Sequence, residues 1–124
     1  MKINQIQIEV KPFDESIKEA AKVFRNISAG KTVKKIERIV FEDVQTLRSI
    51  LTPARVELMH VIRRKNPESI YELAKMTNRK WRAVANDIEI LNTAGLVKLD
   101  KTEEPKEIVK PSVSFNKMNI EVSI

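Results

Sequence analysis

The chain has 124 residues with 42% hydrophobic and 32% charged side chains, enough for one compact domain with short extensions and too apolar for a disordered chain. Zero cysteines exclude disulfides, thiolate metal sites and cysteine nucleophiles, and a single histidine excludes a histidine-rich metal centre. The net charge is +6, and residues 48–82 alone carry nine basic and three acidic side chains, the electrostatic footprint of a polyanionic partner.

Residues 3–10 alternate, with Ile6, Ile8 and Val10 against Gln5, Gln7 and Glu9, which predicts a strand ended by Pro12. Asp14 caps a predicted helix to Ala29, with Ile17, Ala20, Ala21, Phe24 and Ile27 as its apolar stripe and Gly30 as its stop. The β-branched run 36–41 is a second strand, and a brief helix follows with Val44, Leu47, Ile50 and Leu51 on one side. Thr52-Pro53 opens a helix to Lys65 whose inner face is Ala54, Leu58, Val61 and Ile62; Asn66-Pro67 stops it. Val56, Met59 and His60 form an outward apolar face on that helix that needs a cover.

Ser69 and Glu72 make a capping box for a short helix ending near Met76, with Ile70, Leu73 and Ala74 inward. Thr77-Asn78-Arg79 is a turn, and Asn78 is the expected cap of the next helix, which runs to Ala94 and stops at Gly95. The chain then changes to period two. Residues 96–99 and 108–111 predict a hairpin around a polar tip at 101–107, and Met118, Ile120, Val122 and Ile124 mark a last strand.

Three helices, a tight turn between the second and third, and a following hairpin define an α+β fold: a winged helix-turn-helix with an N-terminal strand–helix–strand extension and a C-terminal strand. The expected divisions are residues 1–50 for dimerisation or partner binding, 51–113 for the winged helix, and 114–124 for the terminal strand. On a wheel of about 100° per residue, Trp81, Val84, Ile88 and Leu91 share the inner sector, while Arg79, Arg82, Ala83, Asn86, Ile90 and Thr93 lie opposite. Arginine donates twice to guanine and asparagine both donates to and accepts from adenine, so Arg79, Arg82, Ala83 and Asn86 are the expected base readers of double-stranded DNA. Arg63, Arg64, Ser69, Lys75 and Lys80 are the expected phosphate contacts, and Lys98, Lys101 and Lys106 the wing contacts, although the tip from 101 to 107 is net acidic. Asp87, between the two faces, either pairs with Arg79 or Arg64 or repels phosphate and sharpens register. Tyr71 and Trp81 are expected inside, which leaves no stacking platform for RNA.

The run LTPARVELMHVIRRKNPESIYELAKMTNRKWRAVANDIEILNTAGLVKL resembles the winged-helix transcriptional regulators of the MarR-like kind found in archaea and bacteria. Leu51-Thr52-Pro53, Arg55, Ser69-Ile70, Leu73-Ala74, Arg79, Val84, Asp87-Ile88, Leu91 and Gly95-Leu96 carry the likeness. Where that pattern often has glycine before the turn arginine, this chain has Asn78, which tolerates the same turn. The resemblance implies a DNA-binding repressor. Some members resemble the antitoxin half of toxin–antitoxin operons, so the alternative function is an antitoxin or adaptor module that binds a protein partner, such as a toxin, through its flanks.

A homodimer is expected, since helix-turn-helix proteins read paired half-sites; the alternatives are flanks folded back as a β-layer or terminal strands added to a partner's sheet. No catalytic set, phosphate loop or metal-ligand spacing is present, so no enzyme activity, cofactor or metal is expected. No uncharged stretch approaches the ~20 apolar residues of a membrane span, and no signal peptide opens the chain, so the expected location is the cytoplasm.

Overall fold

A computed structural model describes residues 5–14, 18, 21–22, 37–102 and 107–124 of the chain. It divides into two compact units, Met1–Arg48 with Lys117–Ile124, and Ser49–Asn116. The architecture is α+β, with helices and two small sheets. No helix among the described residues is long and apolar enough to cross a membrane.

In the first unit the sheet has the order β2-β1-β5, from β1 (Gln5–Val10), β2 (Arg38–Phe41) and β5 (Lys117–Val122). Both pairings are parallel, with Ile8 opposite Ile39 on one side and Ile120 on the other. Parallel neighbours need a crossover of a dozen or more residues, which the stretch between β1 and β2 supplies in length. The predicted helix from Asp14 to Ala29, with its stop at Gly30, falls largely outside the described residues.

The alternation seen in the sequence is the alternation of burial: Ile6, Ile8, Val10 and Phe41 are buried, and Gln5 and Arg38 are exposed. The opposite face is tied by side chains. Arg38 pairs with Glu9, the Gln7 amide donates to Glu121 Oε2 (3.1 Å), and the Asn119 amide donates to Gln5 Oε1 (2.6 Å). Asp43 opens α1 (Val44–Ile50), accepting at Oδ1 from both the backbone N–H and the hydroxyl of Thr46. These bonds favour the carboxylate and hold its pKa below the ordinary 3.8. Only Leu47 of α1 is buried; Val44, expected beside it, is exposed.

The second unit carries α2 (Pro53–Lys65), α3 (Ile70–Thr77), α4 (Trp81–Thr93) and the antiparallel pair β3 (Lys98–Thr102) and β4 (Ile108–Ser112). Thr52 caps α2 with Pro53 in the first turn, and its hydroxyl accepts from the Arg55 N–H. Asn66 ends α2 in the left-handed region at φ 46°, where asparagine is tolerated and β-branched residues are not. Helix α3 packs against both α2 and α4. The core is Leu58, Val61 and Ile62 from α2, Leu73 and Ala74 from α3, and Val84, Ile88 and Leu91 from α4, closed by Leu96, Val97, Val113 and Phe115. Burying each large aliphatic side chain contributes about 1.5–3 kcal/mol.

Two features of α2 differ from the sequence reading. Ala54, expected inside, is exposed, and Met59, expected on an uncovered outer face, is buried. The inner stripe is therefore Leu58-Met59 and Val61-Ile62, and the outer face keeps exposed His60, whose Nδ1 lies 3.7 Å from Glu57 Oε2, and half-buried Val56.

Candidate nucleic-acid interface

Helix α3 begins where its cap chemistry dictates. The Ser69 hydroxyl accepts from the Glu72 N–H at 3.0 Å. The Glu72 carboxylate reaches back one residue further than expected, accepting from the Glu68 N–H at 3.3 Å. The helix ends at Thr77, and Asn78 adopts φ 53° with its N–H directed to the carbonyls of Ala74 and Lys75. Asn78 therefore closes α3 and does not cap α4, whose first flanking residue is Lys80, without a side-chain cap bond. Only a left-handed residue re-aims the chain this sharply, and asparagine accepts that conformation at modest cost.

An ion-pair cluster fixes α4 behind the turn. Asp87 is 8% exposed and faces inward. Its Oδ1 accepts from Arg55 Nε at 3.1 Å and its Oδ2 from Arg79 Nη2 at 2.8 Å. Arg55 also donates to the carbonyls of Ser49 (2.6 Å) and Ile50 (3.3 Å). One carboxylate thereby ties together the start of α2, the turn and the middle of α4. Of the two arginines expected near Asp87, only Arg79 meets it; Arg64 donates to Glu57 Oε1 and to the His60 carbonyl.

This cluster separates the predicted base readers. Arg82, Ala83 and Asn86 are exposed on α4, while Arg79 is half-buried and held by Asp87. With Val84, Asp87, Ile88 and Leu91 buried, the outer line of the helix is Arg82, Asn86, Glu89 and Thr93. Glu89 is an addition to the expected set. Its spacing from Arg82 and Asn86 gave the signal, since all three fall on one side at helical period. Ile90, expected outside, is half-buried.

The aromatic residues are the clearest departure. Trp81 is 53% exposed and Tyr71 is 59% exposed, so neither belongs to the core that the sequence assigned to them. Trp81 occupies the first turn of α4, at the margin of the inner sector, where Val84, Ile88 and Leu91 already fill the core. Lys75 sits over the Tyr71 ring with its Nζ 4.6 Å from the centroid, a cation–π contact.

The expected phosphate residues Arg63, Arg64, Lys75 and Lys80 are all exposed, and Ser69 is half-buried in its cap. Arg63 Nη1 also donates to the Val113 carbonyl at 3.4 Å. Arg64, Lys65 and Arg79 share an open hollow of about 470 Å3 floored by Leu58, Val61 and Met76. Of the hairpin lysines, Lys98 and Lys101 lie exposed on β3, and Lys106 falls outside the described residues. Among the described residues, no three histidine, aspartate or glutamate side chains gather as a metal site.

No curated protein matches the chain. The pattern of one protein family matches residues 50–120, more than half of the chain and all of α2 to β4. The chain belongs to the HVO_A0114 family.

Proposed function

We propose that residues 49–116 form a winged helix-turn-helix of the MarR-like kind, and that the chain is a sequence-specific double-stranded DNA-binding regulator acting as a dimeric repressor. In this reading α3, the Asn78 turn and α4 are the helix-turn-helix, and β3–β4 is the wing. The observation that carries it is the outer line of α4: Arg82 and Asn86 stand in solvent with Glu89 and Thr93, and exposed Ala83 flanks them, on a helix whose opposite side is locked by Val84, Asp87, Ile88 and Leu91. Arginine and asparagine on an exposed, rigidly held helix match the donor and acceptor pattern of guanine and adenine in the major groove. Arg63, Arg64, Lys75 and Lys80 supply the surrounding charge for the phosphates. Arg79 is assigned to holding the helix through Asp87 and not to reading a base.

The test is selection from a randomised duplex pool, followed by titration of the enriched site. Arg82→Ala should cost about 1–3 kcal/mol on that site and relax preference at one position. Lys75→Ala should weaken all duplexes alike and lower the salt slope by about one. An unselective pool, or an Arg82→Ala variant that binds like the wild type, overturns the reading.

A second reading, single-stranded RNA, is favoured by one observation: Trp81 is open to solvent and available for stacking, while Tyr71, also exposed, carries Lys75 over its ring. Competition between duplex DNA and RNA for the same protein separates the two.

A further inference from the structure

The open edge of the three-stranded sheet supplies a surface that the α4 interface leaves unused. Among the described residues, strand β5 lies at the edge and is paired with β1 alone. Backbone direction along it follows from three bonds. The Ser123 N–H donates to the Val10 carbonyl, while the N–H groups of Gln7 and Lys11 donate toward Glu37 and Phe41 on the β2 side. Odd residues of β5 therefore face β1, and Met118, Ile120 and Val122 turn their N–H and C=O groups to the open edge. Their side chains lie on the same face as Ile6, Ile8 and Val10. There Ile120 remains 50% exposed and Val122 42% exposed. A six-residue edge with exposed β-branched side chains and no proline is a template for another strand.

The charge pattern of β5 selects which strand. It reads Lys117, Met118, Asn119, Ile120, Glu121, Val122, with opposite charges placed symmetrically about Asn119. We infer that β5 pairs antiparallel with β5 of a second copy about a two-fold axis at Asn119. Met118 of each copy then faces Ile120 of the other in a hydrogen-bonded pair. Lys117 faces Glu121 twice, on the polar face, and Asn119 faces its own symmetry mate in a non-hydrogen-bonded pair. The register uses only groups that already point outward, joins two apolar faces into one, and places unlike charges opposite each other. It rests on the sheet alone and stands whether or not α4 binds DNA; if α4 does bind, it supplies the dimer that reading requires.

The test is the mass of the full chain by light scattering over a concentration series, with engineered cysteines to fix the register. The wild type should reach twice the 14.3 kDa of one chain. Ile120→Lys should shift it to monomer with unchanged circular dichroism. Lys117→Glu and Glu121→Lys should each weaken the dimer by placing like charges together, and the double exchange should restore it. Because the chain contains no cysteine, Asn119→Cys should give a single interchain disulfide under mild oxidation, the non-hydrogen-bonded geometry bringing the two Cα atoms within bridging range. Glu121→Cys alone should not. A monomer at every concentration, a dimer indifferent to Ile120→Lys, or cross-linking at Glu121→Cys in place of Asn119→Cys overturns the proposal. Duplex binding measured on the Ile120→Lys monomer reports on α4 independently.

Discussion

Removing the Asp87 carboxylate tests whether one buried anion holds the helical unit together. In Asp87→Ala two charge-assisted hydrogen bonds are lost, from Arg55 at 3.1 Å and Arg79 at 2.8 Å. Bonds to charged groups contribute about 1.5–3 kcal/mol each. Deleting one member of a buried pair costs about 3–5 kcal/mol, because the partner's charge stays desolvated. Two features reduce that figure here. The Arg79 side chain is 32% exposed and is screened by water, and Arg55 keeps the Ser49 and Ile50 carbonyls as acceptors. The expected loss is therefore ~3 kcal/mol, which in a unit of this size lowers Tm by roughly 12–24 °C. Urea and thermal unfolding followed by circular dichroism measure it, and a double-mutant cycle with Arg79→Ala isolates the second bond. A variant melting within ~4 °C of the wild type would refute the reasoning, since the arginines would then be satisfied without the carboxylate.

Trp81→Ala should cost only about 1–2 kcal/mol, against the ~3–5 kcal/mol of a fully buried tryptophan, and a loss in the upper range in urea unfolding would place its ring in the core after all. Asn78→Gly should match or exceed wild-type stability, whereas Asn78→Val should lose at least ~1 kcal/mol by forcing a branched side chain to positive φ; thermal melts decide. The folded pKa of Asp43 is depressed, so the start of α1 is supported above the ordinary value of 3.8 and loses that support as pH falls through the lower folded value. A carboxyl NMR titration should give a midpoint under 3.8 that rises in Thr46→Ala, and a midpoint at or above 3.8 in the wild type contradicts the two bonds.

Local chemistry was legible in the sequence and distant pairing was not. The start of α2 at Pro53 and of α3 at Ile70 follow from Thr52 and Ser69, because a cap is settled within three residues. Trp81 was misplaced because its angle lies about 70° from the centre of the buried sector on the helical wheel, where apolar character alone does not decide burial. The alternation in residues 117–122 disclosed a strand but not its neighbour, which lies 112 positions earlier in the chain. The Arg55–Asp87 bond spans 32 positions and was equally hidden, whereas the Arg79–Asp87 pair, eight positions apart, is one of the alternatives the sequence leaves open and the fold decides for it.

Strand β1 draws one neighbour from early in the chain and the other from residues 117–122, while the helical unit lies uninterrupted between them. During synthesis the helical unit can close as soon as its own residues have left the ribosome, whereas the sheet must wait for the last strand to be translated. For that interval Ile6, Ile8 and Val10 sit beside an incomplete ladder. Residues 5–10 and 38–41 are thus translated well before the strand that completes their sheet.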